Sequence, residues 1–202
     1  MRVGVLGGTF DPPHLGHLIL AQEAVQALGL SQVLFVPAGE PWRKAGRELS
    51  PRDQRVSMVR LAVGDNPHLA VSTAEVERAG PSYTEETLAE LREHLGPEAE
   101  LFFIMGADSL TDFPRWHQPH RILELAWLAV AERAPSGDEG LQEGIPEELA
   151  EALRERVVWL PMPLVAISAS AVRERVRQGL SIRYWVPPAV EEYIRDHGLY
   201  AA

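Results

Sequence analysis

A chain of 202 residues, 46% hydrophobic and 24% charged, has the size and composition of one large globular domain, or of one domain with a small appendage. Its formal charge of −10, from 29 acidic against 19 basic residues, argues against nucleic-acid binding but leaves room for a small anion held by a few converging donors. With no cysteine, disulfides and thiolate metal sites are excluded. No apolar run reaches the roughly 20 residues that cross a bilayer, and Met1 to Leu6 lacks the features of a secretory signal; the expectation is a cytoplasmic protein without a membrane partner.

In chain order, Val3 to Leu6 reads as a buried strand ending at Gly7-Gly8. Leu18, Ala21, Val25 and Leu28 then recur at helical spacing, with Gly29 placed to stop the helix. Val33 to Val36 is a second strand closed by Pro37. Ser50-Pro51-Arg52-Asp53 predicts a helix start with a capping hydroxyl and proline at N1, followed by the stripe Val56, Val59, Ala62, Val63. Leu69 to Ser72 is a third strand, Thr84 to Gly96 a helix with Leu88, Leu91 and Leu95 on one face, and Leu101 to Met105 a fourth strand ending at Gly106. Trp127 to Ala131 and Val157 to Leu160 complete the strands. A polar loop (134–146) and a helix from Glu147 to Arg156 lie between them, and helices near Ala169 to Gln178 and Pro188 to His197 close the chain.

This alternation predicts an α/β, Rossmann-like domain spanning 1–202, with a mostly parallel sheet, helices on both faces and a small C-terminal helical part at about 168–202. Such sheets bind ligands beyond the carboxyl ends of their strands, here just after Leu6, Val36, Met105 and Leu160.

Two unusual stretches fall at those ends. The first runs Gly7-Gly8-Thr9-Phe10-Asp11-Pro12-Pro13-His14-Leu15-Gly16-His17. Its glycines let backbone N–H groups approach a phosphate, and two histidines three apart at a helix opening share a face where the dipole favours anions. A plain tight turn, a metal pair or surface histidines are the bland readings. A metal pair lacks a third ligand nearby, and the joint pattern favours phosphate chemistry. The second stretch, Ile167-Ser168-Ala169-Ser170-Ala171-Val172-Arg173, supplies a capping hydroxyl, a second hydroxyl in the first turn and a guanidinium suited to phosphate oxygens. Alone, it would read as an ordinary capped helix.

Together these motifs resemble the two signatures of the HxGH nucleotidyltransferase superfamily, which includes nucleotide adenylyltransferases and class I aminoacyl-tRNA synthetases. The resemblance implies that His14 and His17 bind ATP phosphates, the second stabilising charge at the α-phosphate. It further implies that Ser168, Ser170 and Arg173 grip the β- and γ-phosphates, although Ala169 replaces a serine of the usual motif.

Further blocks resemble bacterial nicotinate-nucleotide adenylyltransferases over nearly the whole chain. Pro41-Trp42-Arg43-Lys44 sits at the family's Pro-x-His-Lys segment, and only Lys44, the sole lysine, carries over. Gly80-Pro81-Ser82-Tyr83-Thr84 followed by Glu85-Glu86-Thr87-Leu88 resembles the family's Ser-Tyr-Thr-x-x-Thr-Leu block. A helix N-terminus there suits the carboxylate of a nicotinate ring. By resemblance, Trp116 stacks on the pyridine, Ser82, Tyr83 and Thr84 hold the mononucleotide, and Gly8, Thr9, Phe10, Gly106, Asp108, Arg133 and Ile167 contact ATP.

The implied reaction transfers AMP from ATP to nicotinate mononucleotide, giving deamido-NAD and pyrophosphate. The acceptor phosphate, with a second pKa near 6, needs no general base. His14, His17, Lys44 and Arg173 would act by alignment and charge stabilisation. Mg²⁺ is expected to travel with ATP without a protein cage, and Asp11 to stabilise its turn rather than ligate metal. Phosphopantetheine adenylyltransferase and a non-catalytic nucleotide-sensing protein are the competing readings. A homo-oligomer is compatible with all three.

Overall fold

The computed structural model describes residues 1–41, 49–131 and 146–201. Six strands, β1 (Arg2–Gly8), β2 (Gln32–Pro37), β3 (Leu69–Val71), β4 (Glu100–Gly106), β5 (Ala126–Ala131) and β6 (Val157–Leu160), form one sheet in the order β3-β2-β1-β4-β5-β6. Every pairing is parallel, for instance Val5 against Leu34 on one side and Phe103 on the other. The chain builds outward from β1 to β3, then returns to place β4 against the free edge of β1. The reversal of direction lies at β1 and β4, and a crevice opens there beyond the carboxyl ends.

The four central strands bury both faces, as a parallel sheet requires, and the edge strands β3 and β6 are half-buried. Val3, Val5, Leu101, Phe103 and Met105 face one core, which α4 (Thr84–Leu95) covers with Leu88 and Leu91, α6 (Pro119–Leu125) with Ile122, and α7 (Glu147–Arg156) with Leu153. Phe102, Ile104, Val33 and Phe35 face the opposite core under α1 (Leu15–Leu28) and α2 (Arg52–Val63). The period-2 switch along Leu101 to Met105 thus distributes one apolar run to two layers. A third cluster packs Val172 of α8 (Ala169–Arg177) and Val190 and Ile194 of α9 (Pro188–Asp196) against Met58 and Ala62 of α2. This is the C-terminal helical part the sequence predicts.

The expected mostly parallel sheet is wholly parallel among the described residues. Two details differ from expectation. Ser50 does not cap α2: Pro51 occupies the N-cap position with no side-chain cap, and the Ser50 hydroxyl bonds instead to Tyr200. The segments between β3 and β5 also hold short elements that the apolar pattern leaves unmarked: α3 (Ala74–Glu77), α5 (Ala107–Asp112) and a 3₁₀ turn (Phe113–Arg115) in addition to α6. Lys44, Arg133 and the polar loop up to residue 145 lie outside the described residues.

Candidate active site

The turn after β1 places both histidines at the start of α1. His14 is the N-cap in extended conformation, and His17 is the third helical residue. The His14 backbone N–H donates to His17 Nδ1 at 3.1 Å. An accepting Nδ1 carries no proton, so Nε2 is the protonated nitrogen of the neutral ring. The two imidazoles stack, with centroids 3.7 Å apart and planes 25° from parallel, and Phe10 meets His17 edge-on at 5.0 Å. Burial holds the His14 pKa down to about 4, so this ring is neutral at pH 7. Its buried Nδ1 has no hydrogen-bond partner among the described residues. Gly16 spares the stack crowding: a Cβ there would lie 3.1 Å from His14 Nδ1.

The second motif reaches the first directly. Ser168 caps α8, accepting from the Ala171 N–H at 3.2 Å. Arg173 Nη1 donates to the Asp11 carbonyl at 2.6 Å, and Nη2 lies 3.4 Å from Ser170 Oγ. Between the motifs lies a cleft of about 470 Å³. Its walls include Gly8, Thr9, Phe10, His14 and His17 from one side and Ile167, Ser168, Ser170 and Arg173 from the other, with Gly106 at the end of β4. Asp108, exposed in the first turn of α5, is not among the residues lining it.

A network that sequence reasoning missed braces this cradle from behind. Arg55, 1% exposed, donates to the carbonyls of Thr9 (2.9 Å), Ser50 (3.0 Å) and Gly39 (3.4 Å). Burial lowers its pKa, and the charge of Asp11 opposes that shift. The buried Asp11 carboxylate accepts from Tyr200 Oη at 2.6 Å and from the Ser50 N–H at 3.4 Å. Burial, and then the bond to Asp11, raise the Tyr200 pKa. Asp11 is a structural carboxylate of its turn. A signal was present in the sequence, since Arg55 stands four residues before Val59 and seven before Ala62, on the apolar stripe of α2.

A second cavity, of about 240 Å³, adjoins the first. Gly8 and Thr9 line both. Its other walls include Ser82, Thr84 and Trp116, with Ala38 beyond β2 and Phe103 of β4. Trp116 stands edge-on to Phe103, with centroids 5.8 Å apart. Ser82 Oγ accepts from the Gly39 N–H (2.9 Å) and the Glu40 N–H (3.2 Å), tying this wall to the loop after β2. Gly39 also lets the Glu75 backbone come close: a Cβ there would lie 2.1 Å from the Glu75 carbonyl oxygen. Glu75 lines the cavity, accepts from Thr87 Oγ1 at 2.8 Å, and has its pKa raised by burial. Tyr83 does not line it and instead stacks on His117 at 4.3 Å. No group of three or more His, Asp or Glu able to hold a metal occurs among the described residues. No helix among them is long and apolar enough to cross a membrane.

The cytidylyltransferase-like family model matches residues 5–175, which span both motifs. A probable nicotinate-nucleotide adenylyltransferase of Thermomicrobium roseum is 50% identical over 98% of this chain and 91% of its own length. The chain belongs to the nicotinate-nucleotide adenylyltransferase family. A relative of the same name from Roseiflexus sp. is 46% identical, with 98% of this chain and 97% of the relative covered. Among solved structures, the Plasmodium falciparum nicotinic acid mononucleotide adenylyltransferase complexed with NaAD superposes with a TM-score of 0.76 at 17% identity, covering 98% of this chain and 97% of that one. That likeness speaks for the fold. The family's adenylyl-transfer chemistry suits a phosphate-sized cradle with neutral imidazole donors and a guanidinium.

Proposed function

We propose that this chain transfers AMP from ATP to nicotinate mononucleotide, releasing pyrophosphate and forming deamido-NAD. The observation that carries the reading is the Arg173 contact to the Asp11 carbonyl, which joins two motifs 162 residues apart into one cleft. Gly8 and Thr9 of that cleft also line a second cavity, walled by Thr84 and Trp116. In this reading the larger cleft takes MgATP as substrate and the smaller takes the mononucleotide. The acceptor 5′-phosphate oxygen attacks the α-phosphorus in line, and the bond from that phosphorus to the β-bridging oxygen breaks.

The protein's part is alignment and charge stabilisation. A phosphate monoester is already mostly ionised at neutral pH, so no base is required. His17 Nε2–H and the His14 ring would donate to phosphate oxygens, while Arg173, Ser168 and Ser170 would hold the departing pyrophosphate. Neutral imidazoles serve as donors without competing for the substrate's protons. Lys44 and Arg133 keep the roles that the family resemblance implies, and Mg²⁺ the role of ATP's counter-ion. Trp116, Thr84 and Ser82 line the acceptor side, and Tyr83 stands behind it, stacked on His117. ATP as co-substrate suits a cytoplasmic enzyme. Release of pyrophosphate from ATP only when nicotinate mononucleotide is present is the test; release with phosphopantetheine instead, or binding without release, would overturn the reading.

A further inference from the structure

We propose that Glu85 and His117 form a specificity-determining pair behind the acceptor cavity, setting how well that cavity accepts a negatively charged ring substituent. The inference rests on the reading that this cavity takes the pyridine end of a mononucleotide. Glu85 lies in the first turn of α4 with its side chain only 5% exposed. One oxygen, Oε1, pairs with His117 Nδ1, and the buried Oε2 has no partner among the described residues. His117 is held in place by its stack on Tyr83, with planes 23° from parallel. Thr84 and Trp116, the chain neighbours of Glu85 and His117, are themselves walls of the cavity. The pair therefore ties the α4 N-terminus to the tryptophan segment immediately behind the surface that a ligand would touch.

The charge arrangement gives this contact a consequence for selectivity. A carboxylate withdrawn from water is costly unless paired, and here only one of its oxygens is paired. The helix N-terminus favours negative charge at this place, but Glu85 already supplies one there. A substrate carboxylate arriving nearby meets a like charge, which the His117 N–H compensates by bonding to Glu85. Removing His117 leaves the Glu85 charge uncompensated beside the cavity and should penalise an acid ligand more than its uncharged amide. Removing the charge as well should lift that penalty. Neither residue lines the larger cleft, so ATP binding should not respond.

The test is calorimetric titration of nicotinate mononucleotide, nicotinamide mononucleotide and ATP into the wild-type protein and into H117A, E85Q and the E85Q/H117A double variant. H117A should weaken the acid roughly tenfold relative to the amide, the scale of losing one hydrogen bond to a charged group. ATP affinity should stay within about twofold. E85Q, which keeps an acceptor for Nδ1, should bind the acid at least as well as wild type. The double variant should recover the wild-type acid-to-amide ratio. An unchanged ratio in H117A, or a double variant as impaired as H117A, would reduce the pair to packing and overturn the proposal. If the wild-type protein bound neither mononucleotide, the acceptor reading itself would fail, an outcome visible before any variant is compared.

Discussion

Replacing Arg55 by leucine tests whether the cradle is held from behind. The guanidinium is 1% exposed, serves three backbone carbonyls from separate segments and faces the buried Asp11 carboxylate. Summing three charged hydrogen bonds at about 1.5–3 kcal/mol each would overshoot, because leucine also removes the cost of burying the arginine. The cost that leucine does not recover is a buried Asp11 without its cation, together with three carbonyls lacking a donor. Loss of one partner in such an arrangement costs about 3–5 kcal/mol, a large part of a total near 10. For a chain of this length each kcal/mol moves Tm by about 2–4 °C, so Arg55→Leu should lower Tm by roughly 6–20 °C. Scanning calorimetry with and without ATP measures this. A fall of less than about 2 °C would refute the reasoning, since it would mean that Thr9, Ser50, Gly39 and Asp11 are served equally well without the arginine.

Other outcomes follow from the same geometry. His17→Ala should cut kcat roughly 10²–10³-fold, as loss of one preorganised oxyanion donor does; single-turnover kinetics with unchanged kcat would remove it from the chemistry. Trp116→Ala should raise KM for the mononucleotide well above any change in KM for ATP, and equal effects would take Trp116 out of the acceptor cavity. The His14 pKa of about 4, against 6.5 for a free ring, makes the unfolded chain bind a proton that the folded chain refuses. Stability from this group is full above about pH 6.5 and falls by about 1.4 kcal/mol per pH unit as the pH drops towards 4. Urea denaturation at several pH values should show that slope flattened in His14→Asn, and an unaltered slope would contradict the burial account.

The six strands were legible because each is a short apolar run ended by glycine, proline or a polar residue, as at Leu101 to Gly106. The longer helices were legible from spacing, and α7 has the bounds that its sequence suggests. The region from Ala107 to Leu125 was not: its helices are six and seven residues long, too short to complete a pattern, and Pro114 and Pro119 punctuate them. In the site, the glycine-histidine stretch and the serine-arginine stretch announce themselves because their residue types are unusual at strand ends. Arg55, Tyr200 and the Glu85–His117 pair do not, because each gains meaning only from a partner distant in sequence. Tyr200 and Asp11 stand 189 positions apart. The expected cap at Ser50 went astray for the same reason: its hydroxyl bonds to Tyr200, far along the chain, and not to the helix N-terminus.

The strip of backbone at Gly8 and Thr9 is a shared wall, and that makes the protein open to bridging. Two separate guests each surrender their freedom of movement on entry, whereas one molecule reaching across the strip surrenders it once. A dinucleotide, or a synthetic chelate uniting an adenosine with a pyridine head, should therefore hold on more tightly than either half alone. The enzyme would then be slowed by its own output as that output accumulates.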